Sequence, residues 1–186
     1  VGICFIGKNN YNDFISNFLG KKPGKIVDEN GTILGDHEGL MYFTLGQRQG
    51  IGLGGIKGKE QDSWYVAHKD SASNELTVIQ GNENKLLLSE GCYVDDIHWI
   101  NERPESEFEC DVQIRYKSLP VRSRVKKLTT GYKISFTKPQ LAVTPGQSAV
   151  IYDRDECLGG SVIRERISQD FYNWATNRGY NYKVYG

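Results

Sequence analysis

The sequence predicts a mainly β protein, with a small β-rich central module carrying a short helix, followed by a six-stranded β-barrel. Three observations carry that reading. Val, Ile, Tyr and Phe fall in short runs, the 21 glycines and their neighbours punctuate those runs, and from about Leu86 one strand pattern follows another at even spacing. With 38% apolar residues in 186, the chain can fill two small cores.

The first element is Gly2-Ile-Cys-Phe-Ile-Gly7, an apolar run between glycines, after which Tyr11, Phe14, Ile15, Phe18 and Leu19 repeat at helical spacing. A strand or turn and one amphipathic helix ending at Gly20 are expected there. Two short apolar runs flank Asn30-Gly31, a pair that tolerates positive φ and so suits a tight hairpin. A second hairpin is expected between 64–67 and 76–79. Between the hairpins, Leu40, Met41, Thr44 and Leu45 are placed to share one face of a short helix, and a glycine-rich loop from Gly46 to Gly55 follows.

The clearest strand is 108–117, where Phe108, Cys110, Val112, Ile114 and Tyr116 alternate with charged or polar residues. Further strands are expected at 93–100, 121–128, 132–136, 148–152 and 157–164, and six short strands at this spacing suggest a closed barrel. In the tail after Ile167, Ser168 is a candidate helix cap, and Phe171, Tyr172, Trp174, Tyr180, Tyr182 and Tyr185 either pack on the barrel or form a stacking surface.

No apolar stretch approaches a membrane span and no export leader is evident. The four cysteines are far apart and unaccompanied by Cys/His clusters, which argues against zinc and for free thiols in the cytoplasm. The only methionine is Met41, so a segment before Val1 is expected. Net charge is zero, but the signs are segregated: no acid lies between 112 and 152, where eight Lys and Arg fall, and the stretch before it is acidic. That asymmetry suits a polyanion partner or a solvated outer face.

Several residues are candidates for chemistry. Gly50-Ile-Gly-Leu-Gly-Gly55 matches a dinucleotide fingerprint in letters, but polar loop rather than helix follows it, so that reading is rejected. The loop is either structural or, through Gln47 and Arg48 with Lys57 and Lys59, an RNA-facing surface. Arg115 is suited to a phosphate and Tyr116 to an unpaired base, with a surface Arg beside a core Tyr as the plainer alternative. Cys4 is either a packed core residue or a reactive thiol. His37, His68 and His98 lack ligand spacing and are expected to be structural.

Four segments in register resemble the bacterial tRNA-specific 2-thiouridylase family: Gly2-Ile-Cys-Phe-Ile-Gly7, Gly39-Leu-Met-Tyr-Phe-Thr-Leu-Gly-Gln-Arg-Gln-Gly-Ile-Gly-Leu-Gly-Gly55, Val143-Thr-Pro-Gly-Gln-Ser-Ala-Val150 and Cys157-Leu-Gly-Gly160. The resemblance covers residues 1 to about 167. It implies an ATP-dependent enzyme that adenylates C2 of the wobble uridine of tRNA and then thiolates it with persulfide sulfur. It also implies that 1–19 ends the catalytic domain, 20–84 is the central module, 85–167 is a barrel like a translation-factor domain and 168–186 is an aromatic tail.

In that family Cys4 would carry the persulfide and later form a disulfide with a cysteine of the ATP-pyrophosphatase domain, which this sequence lacks. The positions that touch tRNA match Arg115, Tyr116 and Gln147. ATP and Mg would be bound mainly by the absent domain, so none is expected on this stretch and the chain alone should be inactive. The implied partners are tRNA and a persulfide-donating sulfur-relay protein, with neither DNA nor a membrane among them. The alternative is a non-catalytic RNA-binding barrel in which Cys4 is merely packed.

Overall fold

The computed structural model describes residues 20–53, 62–102, 105–116 and 118–180. The chain divides into two compact units, with the break between Asn82 and Glu83. The expected features around Cys4 and the 10–19 helix lie outside the described residues.

The first unit is a four-stranded sheet of β1 (Gly24–Val27), β2 (Ile33–His37), β3 (Trp64–Asp70) and β4 (Glu75–Gln80), in the order β2-β1-β4-β3. Both predicted hairpins are present. In the first, Gly31 takes φ +87°, and the Asp28 carboxylate accepts from the amides of Asn30 (3.0 Å) and Thr32 (2.8 Å), so the side chain replaces missing ladder partners. β1 joins β4 in parallel. Ile26, Leu76, Val66, Val78 and Trp64 form the core with Tyr42, Phe43 and Ile51.

The predicted short helix shrinks to a 3-10 turn at Leu40–Tyr42. Phe43 is extended and ends it, and both Tyr42 and Phe43 are buried in the core. Thr44, expected on the helix face, is exposed instead.

The second unit contains β5 (Leu88–Val94), β6 (His98–Trp99), β7 (Glu107–Gln113), β8 (Val121–Lys127), β9 (Tyr132–Leu141), β10 (Ser148–Asp153) and β11 (Glu156–Ile167). The order β10-β7-β8-β9-β5-β11, completed by β10–β11 pairing, closes a six-stranded antiparallel barrel, and β6 attaches to β11. Closure leaves no exposed edge among the six. Cys92, Val94, Cys110, Val112, Val125, Ile134, Ala149, Ile151 and Ile163 fill the interior.

The expected strand at 93–100 is displaced: the barrel strand is β5, and only His98–Trp99 pair further on. Asp95 and Asp96, both exposed, separate the two. β9 runs on beyond the expected 136 to Leu141 through Pro139. It accommodates proline because the β5–β9 register shifts between Ser89 and Gly91, leaving Pro139 off the ladder. Gly91 is required there, since a Cβ would stand 2.2 Å from the Ile134 carbonyl oxygen.

The tail folds as helix α1 (Gln169–Asn177), capped by Ser168, whose Oγ accepts from Phe171 N at 3.4 Å. It packs on the Lys85–Leu87 turn. Phe171 is fully buried beneath the Arg166 guanidinium, 3.7 Å from its ring, while Arg166 also donates to Leu86 O at 3.0 Å. The Tyr172 hydroxyl donates to Arg166 O and also lies 3.2 Å from Glu165 Oε1. Of the two readings of the tail, packing on the barrel describes residues 169–180; Tyr182 and Tyr185 lie outside the described residues.

Candidate nucleic-acid interface

Arg115 and Tyr116 were expected at the end of a strand. β7 instead stops at Gln113, Ile114 is the last buried residue, and the chain turns, with Ser118 N and Oγ both donating to Arg115 O (3.1 and 2.8 Å). Gln113 braces this turn by donating its amide to Ser118 O at 2.7 Å. The turn breaks the alternation that would have buried Tyr116, which is 92% exposed.

The half-buried Arg115 guanidinium reaches the β9–β10 loop. Its Nη2 donates to Ala142 O (2.8 Å) and to Thr144 Oγ1 (3.3 Å), and Thr144 Oγ1 in turn donates to Ala142 O (2.9 Å). Ala142 needs this support, because it holds a left-handed φ of +51°, which is costly for a residue with a Cβ. Burial lowers the Arg115 pKa from its ordinary value, yet a guanidinium starts so high that it stays charged.

Gln147 closes the same loop: its N–H donates to Thr144 O at 3.2 Å, and its own carbonyl accepts from Ile163 N at 2.7 Å. Gly146 supplies the positive φ of +88° that this turn demands. Arg115 and Gln147, 32 positions apart, therefore both bond to Thr144, the first to its hydroxyl and the second, through its backbone N–H, to its carbonyl, and Tyr116 follows Arg115 along the β7–β8 loop. Thr144, Ser118 and Gln113 are the positioning residues that sequence reasoning missed. Val143-Thr-Pro-Gly-Gln147 signalled a turn, but nothing in it signalled what the Thr144 hydroxyl would hold.

The charge segregation has a structural explanation. β7 and β8 are neighbours, and Glu107, Glu109 and Asp111 pair across them with Arg122, Arg124 and Lys126 at 3.2 to 4.0 Å. The acidic and basic stretches thus form one cross-strand ladder on the solvated face, and three of the eight bases are matched by acids.

In the glycine loop, the Gln47 side chain is committed to its own turn, accepting from Thr44 N (2.9 Å) and donating to Gln49 O (2.8 Å). The Gly46 and Gln47 amides donate to Val66 O and Thr44 O. Those two amides are therefore not available to cradle a phosphate. Arg48 is exposed. Among the described residues no group of three or more His, Cys, Asp or Glu could hold a metal, and no helix is long and apolar enough to cross a membrane. His37 is buried against Phe43 and its Nε2 meets Asn74 O at 3.2 Å.

Cys92, Cys110 and Cys157 are free. Burial pushes the Cys92 and Cys110 thiols up to about 12, which removes both as nucleophiles near neutrality. Cys4 lies outside the described residues.

Two family models match this arrangement, a tRNA methyl transferase PRC-barrel domain over residues 12–80 and an aminomethyltransferase beta-barrel domain over residues 89–163. The class is thus a protein that joins a small four-stranded β module to a six-stranded β-barrel, each matched by its own family model. Similar curated proteins narrow it. The tRNA-specific 2-thiouridylase MnmA of Actinobacillus succinogenes is 45% identical over 168 residues, 89% of this chain and 43% of that protein. That of Proteus mirabilis is 46% identical over 170 residues, 90% of this chain and 46% of that protein. The chain belongs to the tRNA-specific 2-thiouridylase family, and it spans less than half the length of these relatives.

Proposed function

We propose that this chain supplies the tRNA-binding surface and the sulfur-carrying cysteine of an enzyme that replaces the C2 oxygen of the wobble uridine with sulfur. The observation that carries the binding half is that Arg115, from the β7–β8 loop, and Gln147, from the β9–β10 loop, both bond to Thr144, with the exposed Tyr116 directly after Arg115 in the chain. Such a surface matches RNA physically: a fixed cation for a phosphate and an exposed ring for an unpaired base, with Gln147 closing the loop that holds the cation. Arg48 is a second contact, on a loop that Gln47 shapes.

Cys4 is the sulfur carrier in this reading. Its thiolate takes the terminal sulfur of a relay protein's persulfide and releases that protein's thiolate; the terminal sulfur then attacks C2 of the adenylated uridine, AMP leaves with the former C2 oxygen, and the second cysteine, on the ATP-pyrophosphatase domain, breaks the S–S bond, which leaves a disulfide with Cys4 and the sulfur on the base. ATP and Mg, which supply activation of the C2 oxygen, are not assigned to the described residues, so the isolated chain binds tRNA without turning it over. The reaction belongs to the cytoplasm, where thiols stay reduced.

The test is a transfer of radiolabelled sulfane sulfur from a persulfide donor to the chain. Label on the wild type, absent from Cys4→Ser, is the expected result. Equal labelling of both would overturn the sulfur-carrier role and leave a non-catalytic RNA-binding barrel.

A further inference from the structure

Among the described residues the two most exposed large apolar side chains are Tyr116, at 92%, and Leu119, at 88%; the next, Ile33, is at 62%. Both stand on the loop between β7 and β8, whose last paired residues are Val112 and Val121. The loop is braced at several points. Ile114 is buried at its start, Arg115 is tied to the Ala142–Thr144 segment, and Ser118 is bonded to Arg115 and Gln113. Pro120 follows Leu119 and restricts it to extended backbone.

An isobutyl group held almost fully in water on a braced loop has no role in the barrel's own core. Two side chains are also far too little for a protein partner, whose specific interfaces bury on the order of 1,000 Å² or more. They do suit one flat, apolar-faced group about the size of a ring, and the adjacent Arg115 favours a ligand that also carries phosphate.

We propose that Leu119 is a second contact for an unpaired base of the bound RNA, forming with Tyr116 a two-pronged grip on a nucleobase whose phosphate Arg115 neutralises. This rests on the tRNA-binding reading above. Leu119 contributes contact without charge, so its loss lowers affinity without altering the number of counterions released, whereas loss of Arg115 alters both.

The test is tRNA binding by the full chain across a salt series for the wild type, Leu119→Ala, Leu119→Met and Arg115→Ala, repeated with a blunt RNA duplex. Leu119→Ala is expected to weaken tRNA binding by roughly fivefold or more, the low end of what losing one base-contacting side chain costs. Its salt slope stays at the wild-type value, Leu119→Met recovers most of the affinity, and the duplex is bound equally by all three Leu119 forms. Leu119→Ala within twofold of the wild type on tRNA, while Arg115→Ala is weakened, overturns the grip and leaves the binding reading standing. An equal loss on duplex also overturns it, and absence of salt-sensitive binding by the wild type overturns both.

Discussion

Thr144→Val removes a hydroxyl and keeps the β-branched shape, so its effect can be worked from two bonds. The bond to Ala142 O is a good neutral one at 2.9 Å, worth about 1 kcal/mol net. The bond from Arg115 Nη2 is long at 3.3 Å and adds less than its charge suggests, about 0.5 kcal/mol. Neither partner is orphaned, because Arg115 Nη2 still reaches Ala142 O at 2.8 Å, so the total is about 1.5 kcal/mol of barrel stability rather than the larger cost of a buried unpaired group. The same loss frees the guanidinium from one of the contacts that fix it, and tRNA affinity should fall about fivefold, or about 1 kcal/mol. Arg115→Ala should cost at least as much and also reduce the slope of log affinity against log salt by about 0.7 to 0.9, one phosphate's share; Thr144→Val keeps the charge and the slope. Urea denaturation and filter binding measure the two effects. Thr144→Val with stability and affinity both unchanged would refute the claim that this hydroxyl positions Arg115.

Other substitutions test the remaining architecture. Phe171→Ala empties a fully buried site under Arg166 and should cost about 3 to 5 kcal/mol in docking of α1, seen as rapid hydrogen exchange over 169–177 while the barrel strands stay protected. Gly91→Ala drives a Cβ against the Ile134 carbonyl and should lower the melting temperature of the barrel more than any exposed-loop substitution does. Glu165 carries a pKa raised chiefly by burial, with Tyr172 and Arg164 opposing. An acid raised in the folded state stabilises below its unfolded value near 4.5 and loses that stabilisation as pH rises through the folded one. Glu165→Gln should therefore melt higher than the wild type at pH 7, with the difference gone below about pH 4. A thiol reagent should modify the half-exposed Cys157 in the native chain, and Cys92 and Cys110 only after denaturation, because burial holds those two protonated.

The parts of the fold governed by local pattern were legible. Alternation from Phe108 to Ile114 placed Cys110, Val112 and Ile114 inside, Asn30-Gly31 marked its hairpin, and Ser168 marked its helix start. What the sequence did not reveal depends on partners distant along the chain. Tyr116 continues the alternation in letters, yet the ladder with β8 ends at Val112 and the next turn points its ring outward. The segregated charges looked like a free basic stretch because their pairing is set by β7–β8 register, which composition does not encode. Arg115 was visible as a candidate, but its anchoring by Ala142 and Thr144 joins segments 27 and 29 positions away.

The central claim is that the barrel is an RNA platform built on Arg115 and its neighbours. The most direct test is tRNA binding by the 186-residue chain, wild type against the Arg115→Ala/Tyr116→Ala double variant, across a salt series. Binding that weakens steeply with salt and is lost in the double variant is the predicted result; a double variant that binds as well as the wild type, or a wild type that fails to bind at low salt, would contradict it.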